Sequence, residues 1–423
     1  MNYYIGIDLG TTSCKSGLYD ESGRRLAFFS KEYPLITNGG FVEQSPKAWW
    51  EIVKESIKSA CESAGVYKIK AISVSSQSIT VVPVDKNGNC IAGAISWLDT
   101  RAQAQAQKLE LDFGKENIYN KTGKHINAVY SLPKIKWLLE NNETVKQNAV
   151  KFLFPLDYLN FKFTGKAVTD YTVASGSMLF NLSKRKWDDT LMSWCGINAD
   201  MLPEVKNTGE SAGKILPEVA RELGINEDIE IIVGGQDQKL SAIAAGLDGQ
   251  TAAVSLGTAT AVTVLSDKRT HNSGWPKFAL NDKEDIYESA VSSTGASVKW
   301  LKNILNIDGY QEFDRLGLEA AGSGGARFKV DFTDGAAVEN LSLSVSAGNL
   351  IYALYESICG EIAERLSKFK LIKKLKVFGG GAKSKLWRKL LEEKTGFKTD
   401  FLEEADIAVF GAAQIAAGGF KIK

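Results

Sequence analysis

Histidine is nearly absent from the chain: among 423 residues there are two, His125 and His271. A Ser-His-Asp triad needs a histidine at the reacting atoms, and zinc sites commonly use several. Two histidines far apart in the sequence make both kinds of site improbable. The chemistry is therefore expected to rest on other groups.

Cysteine is also scarce. The thiols are odd in number, widely scattered and never arranged as C-x-x-C: they are Cys14, Cys61, Cys90, Cys195 and Cys359. Such spacing argues against a disulfide framework and against a zinc site. A reducing, cytoplasmic location fits best, and the N-terminal MNYYIGIDLG lacks the basic segment of a secretory signal.

Net charge and long apolar runs are lacking too. Lys plus Arg number 51 against 50 for Asp plus Glu, a formal net charge of +1. No strong field therefore calls for nucleic acid as a partner. The most apolar late segment, residues 405–420, is interrupted by Asp406 and Gln414, so it predicts a buried helix and no membrane span.

The chain does have length and a balanced composition. Its 423 residues exceed one typical core, and 44% apolar with 24% charged residues is typical of a globular protein. We therefore expect two domains, residues 1–240 and 241–423.

The opening stretch YIGIDLGTTSCKSGLYD predicts two strands joined by a tight turn at Gly10, Thr11 and Thr12. Gly10 lets the backbone approach an anion, the turn offers N–H and hydroxyl donors, and Lys15 adds a positive charge. Asp8 repels phosphate but can hold a hydrated Mg²⁺ that bridges phosphate oxygens. We expect a phosphate and magnesium site here, with an ordinary hairpin turn as the alternative.

Two further segments carry side chains suited to a small ligand. Gln77 and Ser78 follow a buried strand, at a strand end or loop where polar groups can converge. Trp97 lies in the segment ISWLDTR, just before a polar helix. The indole of Trp97 either covers a ligand or packs under a pair formed by Asp99 and Arg101.

The segment GGQDQ, residues 234–238, joins a predicted strand at 229–233 to a helix. Asp237 therefore lies at a helix N-terminus, flanked by Gln238 and preceded by two glycines that let a substrate approach. A helix-capping aspartate is the alternative. The earlier segment DYTVASGS, residues 170–177, is rich in small hydroxyl residues, and a simple connecting loop is favoured there.

The opening turn is repeated in the second half of the chain. Ser255-Leu256-Gly257-Thr258 corresponds to Asp8-Leu9-Gly10-Thr11 at a constant offset. Two copies of one strand–turn–strand unit suggest a duplication, with phosphates held between two turns that face each other across a cleft. Only the first copy keeps the carboxylate, which assigns metal binding to that half.

Later glycines precede predicted helices. Gly295 lies just before the helix that begins VKWL, and Gly380, Gly381 and Ala382 join a strand to the next helix. Such turns let a flat adenine or ribose lie on the backbone, and a tight strand-to-helix connection is the alternative. A Walker pattern is absent, because GESAGK at 209–214 is one residue short.

The motifs DLGTTSCK, WLDTRA, GGQDQ, SLGTA, GASVKWL and FGGGAKSKLW occur in this order between Ile5 and Gln414. In order and spacing the chain resembles the FGGY carbohydrate kinases, a relative of the actin and Hsp70 fold group. The resemblance implies an α/β fold class with two ribonuclease-H-like domains and a central cleft. It also implies ATP and Mg²⁺ as cofactors and phosphorylation of a substrate hydroxyl.

The resemblance assigns roles residue by residue. Asp237 is expected to be the general base and Asp8 the Mg²⁺-linked aspartate. The expected substrate contacts are Gln77, Ser78, Trp97, Asp237 and Gln238. The expected phosphate and nucleotide contacts are Gly10, Thr11, Thr12, Lys15, Gly257, Thr258, Gly295, Gly380, Gly381 and Ala382.

Two departures from the family pattern concern the substrate and the second domain. Common xylulokinases place Met-His where this chain has Gln77-Ser78, and glycerol kinases place Arg-Glu where it has Ser78-Ile79. Neither substrate assignment can be copied. The region between Gly295 and Gly335 is also short, so part of the usual second-domain decoration is missing.

We expect an ATP-dependent kinase for a ketopentose such as xylulose or ribulose, because the substrate-side residues are small and uncharged. The alternatives are a kinase for a polyol or aldonate (glycerol, erythritol, gluconate), an actin- or Hsp70-like ATPase without sugar kinase activity, and a catalytically silent sugar-binding relative. The expected partner is a small-molecule substrate, with no nucleic acid and no membrane. A homodimer is what the family suggests.

Overall fold

The structure, a computed structural model, describes residues 1–266, 274–291, 293–329, 335–402, 404 and 406–419. His271 and both ends of the predicted late helix, at 405 and 420, lie outside the described residues. The chain divides into a first unit of Met1–Ala244, Pro276–Asp285 and Ala408–Lys423, and a second unit of Ala245–Trp275 and Ile286–Ile407. The domain boundary at 240/241 stays a prediction.

The described residues contain 23 β-strands. In chain order they are β1 (Tyr3–Leu9), β2 (Ser13–Asp20), β3 (Arg25–Glu32), β4 (Ile36–Asn38), β5 (Phe41–Gln44), β6 (Ala71–Ser76), β7 (Val82–Val84), β8 (Ala94–Ile95), β9 (Lys151–Leu153), β10 (Val168–Asp170), β11 (Phe180–Asn181), β12 (Lys186–Trp187), β13 (Glu204–Lys206), β14 (Ser211–Lys214), β15 (Glu230–Gln236), β16 (Thr251–Leu256), β17 (Thr260–Leu265), β18 (Lys277–Ala279), β19 (Asp285–Val291), β20 (Arg327–Lys329), β21 (Ala337–Glu339), β22 (Lys374–Phe378) and β23 (Lys398–Phe401).

The α-helices follow the same order. They are α1 (Pro46–Ala64), α2 (Gln103–Phe113), α3 (Lys115–Thr122), α4 (Ser131–Asn141), α5 (Glu143–Asn148), α6 (Pro155–Thr164), α7 (Tyr171–Gly176), α8 (Asp189–Cys195), α9 (Pro217–Leu223), α10 (Asp237–Ala245), α11 (Thr294–Ile304), α12 (Gly309–Ala320), α13 (Ala347–Leu366), α14 (Lys385–Thr395) and α15 (Ile407–Ala416). No helix in these described ranges is long and apolar enough to span a membrane.

The first unit is built on a sheet with the strand order β14-β15-β6-β1-β2-β3. β15, β6 and β1 run parallel, while β2 and β3 are antiparallel to their neighbours. The carboxyl ends of the three parallel strands therefore meet at one edge of the sheet. In register, Asp8 of β1 lies beside Ser75 of β6, which lies beside Gly235 of β15.

Five strands of the second unit repeat this arrangement in the order β23-β22-β16-β17-β19. β23, β22 and β16 are parallel, and the hairpin of β16 and β17 continues into antiparallel β19. Ser255 occupies the position in β16 that Asp8 occupies in β1, one residue before the end of the strand. The duplication inferred from a four-residue match thus extends to five strands, and among the described residues edge strand β14 of the first sheet has no counterpart in this order.

Helices cover the first sheet where glycine permits close approach. Ser45 caps α1 by accepting a hydrogen bond from the Ala48 N–H, and Pro46 occupies the first turn, as the sequence predicts. A Cβ on Gly6 in β1 would lie 2.1 Å from the Val409 carbonyl oxygen. The backbone of α15 therefore packs directly on β1, and the late apolar segment is a buried helix as predicted.

One local prediction is corrected by the structure. The segment at 170–177, for which a connecting loop was favoured, contains helix α7, and the side chain of Asp170 caps that helix. This short helix forms in a buried setting that the polar, small-residue composition does not indicate. The stretch at 209–214, which does not match a Walker motif, contains strand β14.

Candidate active site

Two carboxylates mark the same edge of the first unit's sheet. Asp8 lies near the end of β1, and Asp237 begins α10 directly after β15. Neighbouring strands are about 4.8 Å apart, so β1 and β15, with β6 between them, are separated by roughly 10 Å. Asp8 and Asp237 therefore lie at one edge of the sheet, with a single strand between the strands that carry them.

Asp8 is the candidate metal ligand. One of its oxygens accepts a hydrogen bond of 2.9 Å from the Ser75 hydroxyl, and Lys15 is its direct cross-strand neighbour in β2. Such neighbours project from the same face of a sheet, so the ammonium of Lys15 lies on the side of the carboxylate. Among the described residues no cluster of three His, Cys, Asp or Glu side chains could hold a metal alone. A single carboxylate suits Mg²⁺, which keeps several waters and takes its other ligands from phosphates.

Tyr33 and Gln44 hold the turn after β1 by donating hydrogen bonds to its carbonyl groups. Tyr33 donates its hydroxyl to the Gly10 carbonyl and its N–H to the Thr12 carbonyl, the latter at 2.8 Å. The amide of Gln44 donates to the Thr11 carbonyl at 2.6 Å. The N–H and C=O of a trans peptide point in opposite directions, so the N–H groups of Thr11 and Thr12 point away from these anchors. Such paired N–H groups form a concave anion site.

The two predicted substrate residues at 77 and 78 differ in exposure. Gln77 is 2% exposed, and its amide donates at 3.0 Å to Gln44, the residue that holds the Thr11 carbonyl. Ser78 is half-buried, and a Cβ on Gly176 would lie 3.6 Å from its hydroxyl. The structure therefore places Ser78 beside the open edge and ties Gln77 into the phosphate turn.

Trp97 lies beside the phosphate turn. Its side chain is 38% exposed, and its indole N–H donates to the Thr11 hydroxyl at 2.8 Å. A few residues further along the chain, Arg101 pairs with buried Asp99 at 2.7 Å and with Glu43 at 2.8 Å. These ion pairs hold the following part of the loop, and a contact of the indole with a ligand stays a prediction.

Lys134 supports the Trp97 loop from the interior. Its ammonium donates to the carbonyls of Ser96 at 2.7 Å and Val129 at 2.5 Å. Burial lowers the pKa of Lys134 from 10.5 to about 7. Burial alone would raise the pKa of Asp99, but hydrogen bonds from Arg101 and the Val42 N–H lower it below its ordinary value.

Asp237 lies at the junction between β15 and α10, where the close approach of the backbone requires glycine. A Cβ on Gly234 would lie 1.8 Å from the Val74 carbonyl oxygen, because β15 bulges against β6 at this point. The carboxylate of Asp237 accepts the Gln238 N–H at 2.7 Å and the side-chain amide of Gln236. The side-chain oxygen of Gln236 caps α10 by accepting the N–H of the third helical residue at 3.2 Å, and the half-buried Asp237 side chain is left accessible to a ligand.

The structure also brings together the second unit's predicted nucleotide residues. The N–H groups of Gly295 and Ala296 donate to the carbonyls of Gly257 and Thr258, each at 3.1 Å. A Cβ on Gly295 would lie 2.3 Å from the Gly257 carbonyl oxygen. The start of α11 thus packs directly on the turn after β16.

The glycine-rich segment at 379–382 meets the same turn. A Cβ on Gly379 or Gly381 would lie 2.8 Å from atoms of Leu256, whereas a Cβ on Gly380 would meet nothing within 4 Å. Gly380 is exposed, but Ala382 is 2% exposed and packs into the core. Gly380 therefore offers an open backbone surface, and the side chain of Ala382 does not.

Sequence reasoning missed several residues that shape the site. Tyr33 and Gln44 orient the phosphate turn, and Thr172 holds the strand end before Asp237. Of these residues, only Thr172 had a signal in the sequence, the hydroxyl-rich composition of residues 170–177. Lys239, which is 2% exposed and lies over the ring of Phe278, also had no signal in the sequence.

Comparison with known proteins gives the family. Residues 3–244 match the N-terminal domain of the FGGY family of carbohydrate kinases, and residues 328–419 match its C-terminal domain. A xylulose kinase of Bacillus subtilis is 29% identical over 448 residues, 99% of this chain and 88% of that protein. A glycerol kinase of Thermococcus onnurineus is 30% identical over 404 residues, 89% of this chain and 81% of that protein.

Solved structures agree with the fold. A xylulose kinase from Lactobacillus acidophilus superposes with a TM-score of 0.91 at 27% identity, covering 99% of this chain and 90% of that one. A gluconate kinase from the same organism gives 0.90 at 27% identity, covering 98% and 88%. These likenesses confirm the predicted α/β, two-domain sugar kinase fold and the predicted carbohydrate kinase activity. The chain belongs to the FGGY family of carbohydrate kinases.

Proposed function

We propose that the protein transfers the γ-phosphoryl group of ATP to a hydroxyl of a ketopentose such as xylulose or ribulose. Asp237 acts as the general base, and Asp8 binds Mg²⁺. The observation that carries the proposal is the placement of Asp8 near the end of β1 and of Asp237 directly after β15, two parallel strands of one sheet with β6 between them.

Support for a ketopentose comes from relatives and from the site. Two relatives named xylulose kinase, at 29% and 25% identity, match 99% of this chain. The predicted substrate contacts Ser78, Trp97 and Gln238 are uncharged, which suits a neutral polyhydroxyl substrate. Hydroxyl and amide groups would bind the sugar hydroxyls, and the exposed indole would cover a C–H face.

Phosphoryl transfer does not require a strong base. Because the transition state is loose, the protein mainly positions the reactants and neutralises charge. Asp237 accepts the proton of the attacking hydroxyl late in the transfer. Its carboxylate is held by the Gln238 N–H and the Gln236 amide, so it is oriented before substrate arrives.

The γ-phosphate is bound by the turn after β1. The outward N–H groups of Thr11 and Thr12 donate to its oxygens, while Lys15 supplies a positive charge. Asp8 would hold the Mg²⁺, which would supply positive charge to neutralise the transferred group. The Trp97 indole holds the Thr11 hydroxyl, which links the sugar side of the site to the phosphate side.

In the second unit, we assign nucleotide binding to the cluster formed by Gly257, Thr258, Gly295, Gly380 and Gly381. Ala382 belongs to this segment through its backbone alone, because its side chain is buried. The support is the direct packing of these segments on one turn and the open side of Gly380. A homodimer and a cytoplasmic location are further proposals that follow from the family and from the free thiols.

A second candidate substrate is an aldonate such as gluconate. A gluconokinase of Bacillus subtilis is 28% identical over 75% of this chain and 63% of that protein. The ammonium groups of Lys124 and Lys239 lie 3.5 and 3.8 Å from the centre of the Phe278 ring, close to the start of α10. Lys239 is two residues after Asp237 in α10, and both lysines are buried, so their charge would favour an acidic substrate through the local field and without direct contact.

A substrate panel tests these proposals together. ADP release in a coupled assay with ATP and Mg²⁺ would be measured for xylulose, ribulose, glycerol, erythritol and gluconate. The ketopentose proposal predicts the highest kcat/KM for a ketopentose. A higher value for gluconate would favour the aldonate, and no sugar-dependent turnover with any compound would contradict the ketopentose assignment.

A further inference from the structure

The end of strand β15 has a neighbour on only one side. β6 pairs with it as far as Gln236, which lies opposite Ser76. On the other side, β14 pairs only up to Ile232, and backbone hydrogen bonds to Val233 extend this by one residue. The last residues before Asp237 therefore need another source of support.

Thr172 supplies that support. The hydroxyl of this residue, which is 1% exposed, accepts the backbone N–H of Gln236 at 2.9 Å. A buried N–H without an acceptor is costly, so this contact replaces the missing strand partner. The fixed peptide joins Gly235 to Gln236, one residue before Asp237, so its orientation affects where the carboxylate of Asp237 points.

Asp170 in turn fixes the direction of the Thr172 hydroxyl. The Asp170 carboxylate accepts the Thr172 hydroxyl at 2.7 Å, and it also accepts the N–H groups of Thr172 at 2.9 Å and Val173 at 3.0 Å. The Thr208 hydroxyl donates to it at 3.2 Å. Since a hydroxyl has one proton, donating to Asp170 leaves the Thr172 oxygen as an acceptor for Gln236. Burial raises the pKa of Asp170, and these donors oppose that shift.

The pair packs on the strand without space for a ligand. A Cβ on Gly235 would lie 3.1 Å from the Thr172 hydroxyl oxygen and 3.2 Å from an Asp170 carboxylate oxygen. Asp170 is 0% exposed. Neither residue can touch a substrate, so any effect on the reaction must act through the backbone before Asp237.

We propose that Thr172 and Asp170 are positioning residues that fix the end of β15 and thereby aim the carboxylate of Asp237 at the substrate hydroxyl. The inference rests on the proposed role of Asp237 as the base. It gives residues 170–177 a function beyond that of a helix start.

The test compares Thr172→Val, which loses only the hydroxyl, with Thr172→Ser, which keeps it. We expect kcat of Thr172→Val to fall about 10- to 100-fold, because a displacement of about 1 Å at a reacting group costs this much. KM for sugar and for ATP should change less than twofold. Thr172→Ser should retain kcat within threefold.

Thr164→Val is the matched control. Thr164 is a buried threonine of the same unit, and its hydroxyl donates to the Asn160 carbonyl within α6, away from Gln236. The same chemical change there should leave kcat unaltered. If Thr172→Val does not fold, Thr172→Ala and Thr172→Ser give the same comparison, with the ratio of their kcat values reporting the hydroxyl.

Three outcomes would overturn the inference: unchanged kcat in folded Thr172→Val, equal kcat in the Ser and Ala variants, or a loss confined to thermal stability. A loss confined to thermal stability would mean that Asp170 and Thr172 only stabilise the start of α7. The assignment of Asp237 as the base is tested separately by Asp237→Asn. If that assignment is wrong, Asp237→Asn keeps its turnover, independently of the result for the Thr172 variants.

Discussion

Replacing Asp157 with Asn should remove a pH dependence of stability that the unmodified chain carries. Asp157 lies in the first turn of α6, is 0% exposed, and accepts the Phe154 N–H at 2.8 Å. Burial raises the pKa of Asp157 from 3.8 to about 8, and the neighbouring charge of Asp170 adds to the rise. The folded chain therefore holds a proton that the unfolded chain releases.

The sign of the effect follows from this shift. Because the folded pKa is higher than the unfolded one, the protonated carboxyl contributes stability that is fully present below a pH of 3.8 and is lost as pH rises through about 8. One proton corresponds to about 1.4 kcal/mol per pH unit in that window. Between pH 5 and pH 7 the contribution should fall by about 3 kcal/mol. Asn cannot ionise, so the variant lacks this dependence.

Urea unfolding at pH 5, 6 and 7, followed by tryptophan fluorescence, measures the difference between the two proteins. The free energy of unfolding of Asp157→Asn relative to the parent should rise with pH at the slope given above. Asp189→Asn is the control, since the Asp189 side chain is 70% exposed and its removal should leave the slope unchanged. A difference between Asp157→Asn and the parent that stays constant across this range would refute the reasoning.

Three further predictions concern the site itself. Gly234→Ala should destabilise the first unit by about 3 kcal/mol or more in urea unfolding, because its Cβ would overlap the Val74 carbonyl; near-normal stability would contradict the close approach. Trp97→Phe loses the hydrogen bond to Thr11, which is worth about 1 kcal/mol, so the KM for ATP should rise about fivefold. An unaltered KM for ATP would contradict a role of the indole in holding the phosphate turn. Asp8→Ala should raise the Mg²⁺ concentration needed for half-maximal rate, and an unchanged Mg²⁺ response would remove Asp8 from metal binding.

The features that the sequence predicts well are local. Periodicity and capping residues define β1, β2 and α1, and glycines mark the turns at Gly10 and Gly257. Asp8 and Asp237 were each predicted at the end of a strand, and the parallel strand order that brings them to one edge comes from the structure. The repeated turn predicted the repeated strand–turn–strand unit.

The features that the sequence could not predict depend on contacts between distant segments. Thr172 and Gln236 are 64 residues apart, and Gln44 reaches Thr11 across 33. Single polar side chains of this kind have no periodicity, and their partners depend on how the strands are ordered. Ala382 shows the converse, since a residue in a predicted nucleotide turn has its side chain in the core.

Single-turnover phosphoryl transfer by Asp237→Asn tests the central claim most directly. The variant, in excess over xylulose, would be mixed with saturating ATP and Mg²⁺, and ATP affinity would be measured in parallel by titration. The account predicts that transfer falls by at least about 100-fold while ATP affinity stays within threefold. Transfer at a rate near that of the parent would show that another group, or none, takes the proton.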